Sequence, residues 1–100
     1  MGLAAHQEEI IAQLYREMYR KLVVYAENAL NDSLAEEAVQ DTFRIACSKY
    51  DELMNSSNPQ GWLMNTLKNV IRNIRKEQAN LNKYFVMTMS LDDEEFMEVC

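Results

Sequence analysis

One proline and two glycines are almost all the turn chemistry this 100-residue chain has. Glu, Leu, Ala, Met, Lys, Gln and Arg, the strong helix formers, are abundant. A chain so poor in turn residues has few connections, and they must be short, so the sequence predicts an all-α protein. The sole proline marks the main break. Asn58–Pro59–Gln60–Gly61–Trp62–Leu63 closes one helix and opens another. Asn58 is a good N-cap, and Pro59 suits the first helical position because its missing N–H would be unpaired there anyway.

Apolar periodicity supplies the rest of the pattern. A first helix is predicted over about Gln7–Leu30, with Ile11, Leu14, Met18, Leu22, Tyr25 and Ala29 as its stripe and Ile10, Tyr15, Tyr19 and Ala26 beside them; Asn31–Asp32 ends it. A second begins at Ser33, where Ser33–Leu34–Ala35–Glu36 fits a capping box. Its buried face is read as Leu34, Ala38, Phe43 with Val39, Ala46, Tyr50 and Leu53, and its end falls between Tyr50 and Met54. After the polar loop Asn55–Asn58, a third helix carries Leu63, Leu67, Val70 with Ile71, and Ile74, and ends at about Asn80–Lys83. The expected fold is a three-helix bundle over residues 1–83, followed by an acidic tail or linker over 84–100. One domain of this size buries a core of modest stability.

Charge is sorted along the chain. The net charge is −6, but residues 60–83 hold Lys68, Arg72, Arg75, Lys76 and Lys83 against Glu77 alone, while Asp92–Asp93–Glu94–Glu95 crowds the last segment. A low net charge argues against nucleic acid, yet such a site is a local patch and not an average. On the third helix, Asn65, Lys68, Asn69, Arg72, Asn73 and Lys76 recur at spacings of three and four. Cations with interspersed amides can hold phosphates and hydrogen-bond base edges; the plainer alternative is a solvated face. On the second helix, Glu36, Glu37, Gln40 and Asp41, with Arg44 one turn on, offer a carboxylate-rich face to a partner. By periodicity alone that too reads as a solvated face. The loop 55–62 with Trp62, and Tyr50 before it, suits an unstacked base, although Trp62 taken alone reads as a core anchor.

Catalytic chemistry finds no foothold. His6 is the only histidine, and no metal-ligand cluster, glycine-rich phosphate loop or nucleophile–base pair is present in the sequence. No catalytic residue, metal or cofactor is expected, and the seven methionines read as core filling. Cys47 and Cys100 do not form a disulfide framework, which fits a reducing cytoplasm. Neither a secretory signal nor an apolar run of membrane-spanning length is visible.

Three pieces taken in order resemble region 2 of a bacterial RNA polymerase sigma factor of the sigma-70 family, of the extracytoplasmic-function type. They are Leu14–Tyr15–Arg16–Glu17–Met18–Tyr19 leading to Leu22 and Tyr25; Ala35–Glu36–Glu37–Ala38–Val39–Gln40–Asp41–Thr42–Phe43; and Asn58–Pro59–Gln60–Gly61–Trp62–Leu63 followed by Lys68–Asn69 and Arg72. The resemblance covers about Leu14–Lys76. It implies a non-enzymatic domain of transcription initiation. The second helix, through Glu36, Glu37, Gln40, Asp41 and Arg44, would dock on the clamp helices of the largest subunit of core RNA polymerase. The loop Asn55–Asn58 would cradle a flipped base. Asn58, Trp62, Asn65, Lys68, Asn69, Arg72 and Lys76 would meet the single-stranded minus-ten element of promoter DNA and help melt it. An anti-sigma protein is a further partner the resemblance implies. Ser90–Leu91–Asp92–Asp93–Glu94 resembles the beginning of the linker toward the family's second, helix-turn-helix domain, region 4, which these residues do not include. The alternative function is a sigma-like helical interaction module without promoter recognition. A more distant rival is an unrelated helical adaptor whose charged stripes only solubilise it.

Overall fold

The structure, a computed structural model, describes residues 3–92, with side chains through residue 81. Every element in that span is helical: α1 (Ala5–Glu27), α2 (Asp32–Ser48), α3 (Tyr50–Asn55) and α4 (Pro59–Asp92). The expected all-α class holds, but the helices number four, not three. α2 packs against both α1 and α4, which meet each other over a shorter stretch, and α3 closes one end against α2 and α4.

The core follows the apolar stripes. α1 contributes Ile11, Leu14, Met18, Leu22 and Ala26; α2 contributes Ala35, Ala38, Val39, Phe43 and Ala46; α3 adds Leu53, and α4 adds Leu63, Leu67, Val70 and Ile71. Leu22, Leu53, Leu63 and Leu67 are completely buried, each worth about 1.5–3 kcal/mol in transfer terms. The small alanines of α2 let its backbone sit close to both neighbours. Where larger side chains meet, aromatic rings do the packing: Tyr15 stacks on Tyr19 at 4.9 Å between centroids and tilts against Phe43 of α2 at 4.8 Å.

Several sequence expectations are corrected. Helix α2 is capped by Asn31, whose Oδ1 accepts the Leu34 amide at 2.9 Å, so the Ser33–Glu36 capping box is not made. Asn at the cap satisfies the orphan amide and leaves Asp32 in the first turn, at the positive end of the helix dipole. Starting there turns Ala35 fully inward and leaves Leu34 only half-buried. Thr42, read as part of no face, is fully buried, and its hydroxyl donates to the Ala38 carbonyl at 2.8 Å. The predicted second helix is in fact two. Lys49, at φ −115° and ψ 41°, leaves helical geometry and splits α2 from α3. That bend is what drives Leu53 into the core. On α1, Ile10 and Tyr25 are exposed, at 38% and 39%, while Ala26 takes the buried position.

The third predicted helix begins where Asn58 and Pro59 place it. It does not stop at residues 80–83 but runs on to Asp92. Among the described side chains Ile74 is the last packed against the core, and residues 75–81 are all exposed, so over that stretch α4 runs clear of the bundle as a single helix. Cys100 and most of the acidic run lie outside the described residues.

Candidate functional site

Two connections position the chemistry. The first is the corner before α4. The Asn58 Oδ1 accepts the Gly61 amide at 3.1 Å, and its own N–H donates to Ser56 Oγ at 3.1 Å. The Trp62 amide then donates to the Asn58 carbonyl at 2.9 Å, closing the first turn, and Thr66 donates its hydroxyl to the Trp62 carbonyl at 2.8 Å. The second is the Lys49 bend, which sets α3 beside this corner. Between them the Trp62 side chain packs partly on the core and partly lines an open groove of about 370 Å³. Asn65, Asn69 and Asn73 of α4 line the same groove, together with Thr66, Val70, Ile45, Lys49 and Glu52. The three amides lie one turn apart, about 6 Å of rise each. Each can donate and accept, and with one cation and one anion on the opposite wall the groove is close to neutral.

The other half of the predicted stripe faces elsewhere. Lys68 and Arg72 line a groove of about 330 Å³ between α4 and the end of α1, with Tyr25, Ala29, Ile71 and Arg75. The Lys68 ammonium stands 5.7 Å from the centroid of the Tyr25 ring. Arg72 donates to Asn69 Oδ1 at 3.0 Å, tying the cationic flank of α4 to the amide flank. Lys76 is exposed and lines neither groove. Asn58 is exposed as well, but it does not line the Trp62 groove, and its carbonyl oxygen is taken up by the cap. Nor is the Asn55–Asn58 loop as long as expected, since Asn55 belongs to α3.

The predicted partner face of α2 spans the helix's outer surface. Glu36, Glu37, Gln40 and Arg44 are exposed and Asp41 is half-buried. Glu36 lies toward α1: its charge and that of Glu27 help raise the Tyr19 phenol above its ordinary value, after desolvation and together with Tyr15. Gln40 follows one turn along. Asp41 lies on the α4 side and forms an ion pair with Arg44. That pair lines a groove of about 410 Å³ with Ile45, Ser48, Val70, Asn73, Ile74 and Glu77. Such an i,i+3 pair contributes only about 0.5 kcal/mol, but Arg44 cancels the charge of Asp41 at that point of the face.

The three seams of the bundle therefore differ in character. Carboxylates and tyrosines flank the α1–α2 seam, acid and base mix at the α2–α4 seam, and the α1–α4 seam carries the cationic groove at one end and a contact from Gln60 Nε2 to the Glu17 carboxylate, 3.4 Å, at the other. Tyr25 and Arg75 are the residues sequence reasoning did not assign to this cationic flank. Arg75 was within reach, since it follows Arg72 by three and Lys68 by seven. Tyr25 was not, because nothing in the sequence pairs it with a residue 43 positions later.

No family model, curated protein or solved structure matches this chain. Among the described residues no group of three or more His, Cys, Asp or Glu side chains is placed to hold a metal ion, and no helix is long and apolar enough to cross a membrane. His6 and Cys47 are exposed on α1 and α2.

Proposed function

We propose that the chain is a sigma-factor-like domain that binds core RNA polymerase through α2 and single-stranded promoter DNA through α4. Its fold in this reading is a region-2-like bundle, to which α3 adds a short turn of helix. It catalyses nothing itself; its work is promoter recognition and strand separation during transcription initiation, in the cytoplasm. One observation carries the reading: an open, amide-lined groove beside Trp62 shares α4 with a cationic groove that no carboxylate lines, while the α2 carboxylates run from Glu36 toward α1 to Asp41 at the border with α4.

The energetics are coherent. Holding a base out of its stack costs a few kcal/mol. Stacking on an aromatic ring returns roughly 1–3 kcal/mol per base, and amides on the groove wall can hydrogen-bond its edge. The α2 carboxylates repel phosphates and attract a basic partner, so the domain is oriented between its two ligands.

Two measurements test this. Immobilised protein should retain the largest polymerase subunit, and Asp41→Lys should abolish that retention; failure of either result overturns the polymerase contact. Polymerase loaded with the domain should bind a melted promoter less well when Lys68→Ala and Arg72→Ala are combined. Glu52, on the wall of the Trp62 groove, favours a second reading, because a carboxylate there opposes phosphate. On that reading the domain is a sigma-like protein–protein module without promoter use, and the double substitution leaves promoter binding unchanged.

A further inference from the structure

The composition of the α1–α4 groove is sharply biased. Lys68, Arg72 and Arg75 place three cations on one flank of α4, along about 10 Å of helix rise. The remaining lining is Tyr25, Ala29 and Ile71, with no carboxylate. This occurs in a chain with 16 acidic and 10 basic residues. Acid is plentiful, yet the one ion pair among the described residues is Asp41–Arg44, at a different seam. Three like charges held side by side without a counter-ion repel one another, and an anion relieves that repulsion.

The positions of these groups are also restrained. The Tyr25 ring attracts the Lys68 ammonium toward the groove floor. Asn69 takes one N–H of Arg72 and so directs its guanidinium, leaving the other four donors free. A row of cations fits a chain of phosphates better than a single one. The groove lies around α4 from the Trp62 groove, and Arg72–Asn69 bridges the two.

We propose that Tyr25, Lys68, Arg72 and Arg75 form a backbone-phosphate grip for single-stranded nucleic acid, with Tyr25 as its member from α1. The inference rests on the nucleic-acid reading of α4, and it assigns Tyr25 and Arg75 to the binding surface. The grip supplies sequence-independent hold, and the amide groove supplies base discrimination.

The test is fluorescence anisotropy of the whole 100-residue chain with a labelled single-stranded DNA of roughly 12 nucleotides, titrated between about 50 and 200 mM salt. Arg75→Gln should flatten the slope of log affinity against log salt by about 0.7, the share of one phosphate. Tyr25→Leu should weaken binding about two- to fivefold, and Tyr25→Phe, which keeps the ring, should not. Both positions are exposed, so thermal unfolding followed by circular dichroism should match the parent protein. If Arg75→Gln and Tyr25→Leu keep the parental affinity and slope while Asn65→Ala or Trp62→Leu weakens binding, the grip is refuted and the reading of α4 survives. If the unmodified chain binds no oligonucleotide at the lowest salt, both fall together.

Discussion

Asn58 and Gly61 are fitted to each other. The Asn58 Oδ1 accepts the Gly61 amide at 3.1 Å, and a Cβ on residue 61 would stand 2.6 Å from the Asn58 Nδ2 and 3.0 Å from its Cγ. The cap therefore depends on the missing side chain of its partner. Asn58→Ala should cost about 1 kcal/mol in urea unfolding. In a Gly61→Ala background, where the amide has already been displaced, the same substitution should cost clearly less. Gly61→Ala alone should be close to neutral, because about 1 kcal/mol of improved helix propensity offsets the lost cap. Equal costs of Asn58→Ala in the two backgrounds would show that the sites are independent.

Leu53 holds α3 in place. It is the one buried residue of that helix, so Leu53→Ala should destabilise the protein by about 2–5 kcal/mol in the same assay. Because Lys49 and Glu52 form one wall of the Trp62 groove, the loosened α3 should also expose the indole. A red-shifted tryptophan emission under native conditions would register that change.

Alkaline stability should report on Tyr19. Its phenol is held above the ordinary value of 10.0, by desolvation first and then by Tyr15, Glu36 and Glu27. Between the unfolded and folded pKa values the unfolded chain has lost a proton that the folded protein keeps. Stability present below about pH 10 is therefore lost as pH rises through the folded value. Tyr19→Phe should make the melting temperature fall less steeply above pH 10, and Glu36→Gln should act in the same direction. A parental pH profile in both variants would rule the contribution out.

Trp62 is the only tryptophan, so binding in its groove has a built-in readout. On the proposed function, single-stranded oligonucleotide should quench its fluorescence by stacking. Asn69→Ala should reduce the affinity, since it removes both a groove amide and the acceptor that positions Arg72. Quenching indifferent to Asn69 would leave the amide row without a role.

Much of this architecture was readable in advance, for identifiable reasons. Leu63, Leu67, Val70 and Ile71 recur at helical spacing and are buried, and the Asn58–Pro59 start lies where cap chemistry puts it. The Lys49 break was not readable, because no Gly or Pro marks it. Ser33 lost the cap of α2 to Asn31, two residues earlier, a competition between two good acceptors that local sequence does not decide. Of the candidate site, the contiguous polar stripe of α4 was legible. Its division into amide and cationic flanks was not, since that depends on which neighbouring helix each flank meets. The end of α4 was misplaced because the periodicity fades after Ile74, whereas the helix continues to Asp92.

That continuation has a mechanical consequence. From Ile74 to Asp92 the helix extends for about 27 Å, in one piece with the segment that carries Trp62, Asn65 and Lys68. The far end is thus a tiller: a push there swings both grooves through the same angle, and whatever grasps it steers them.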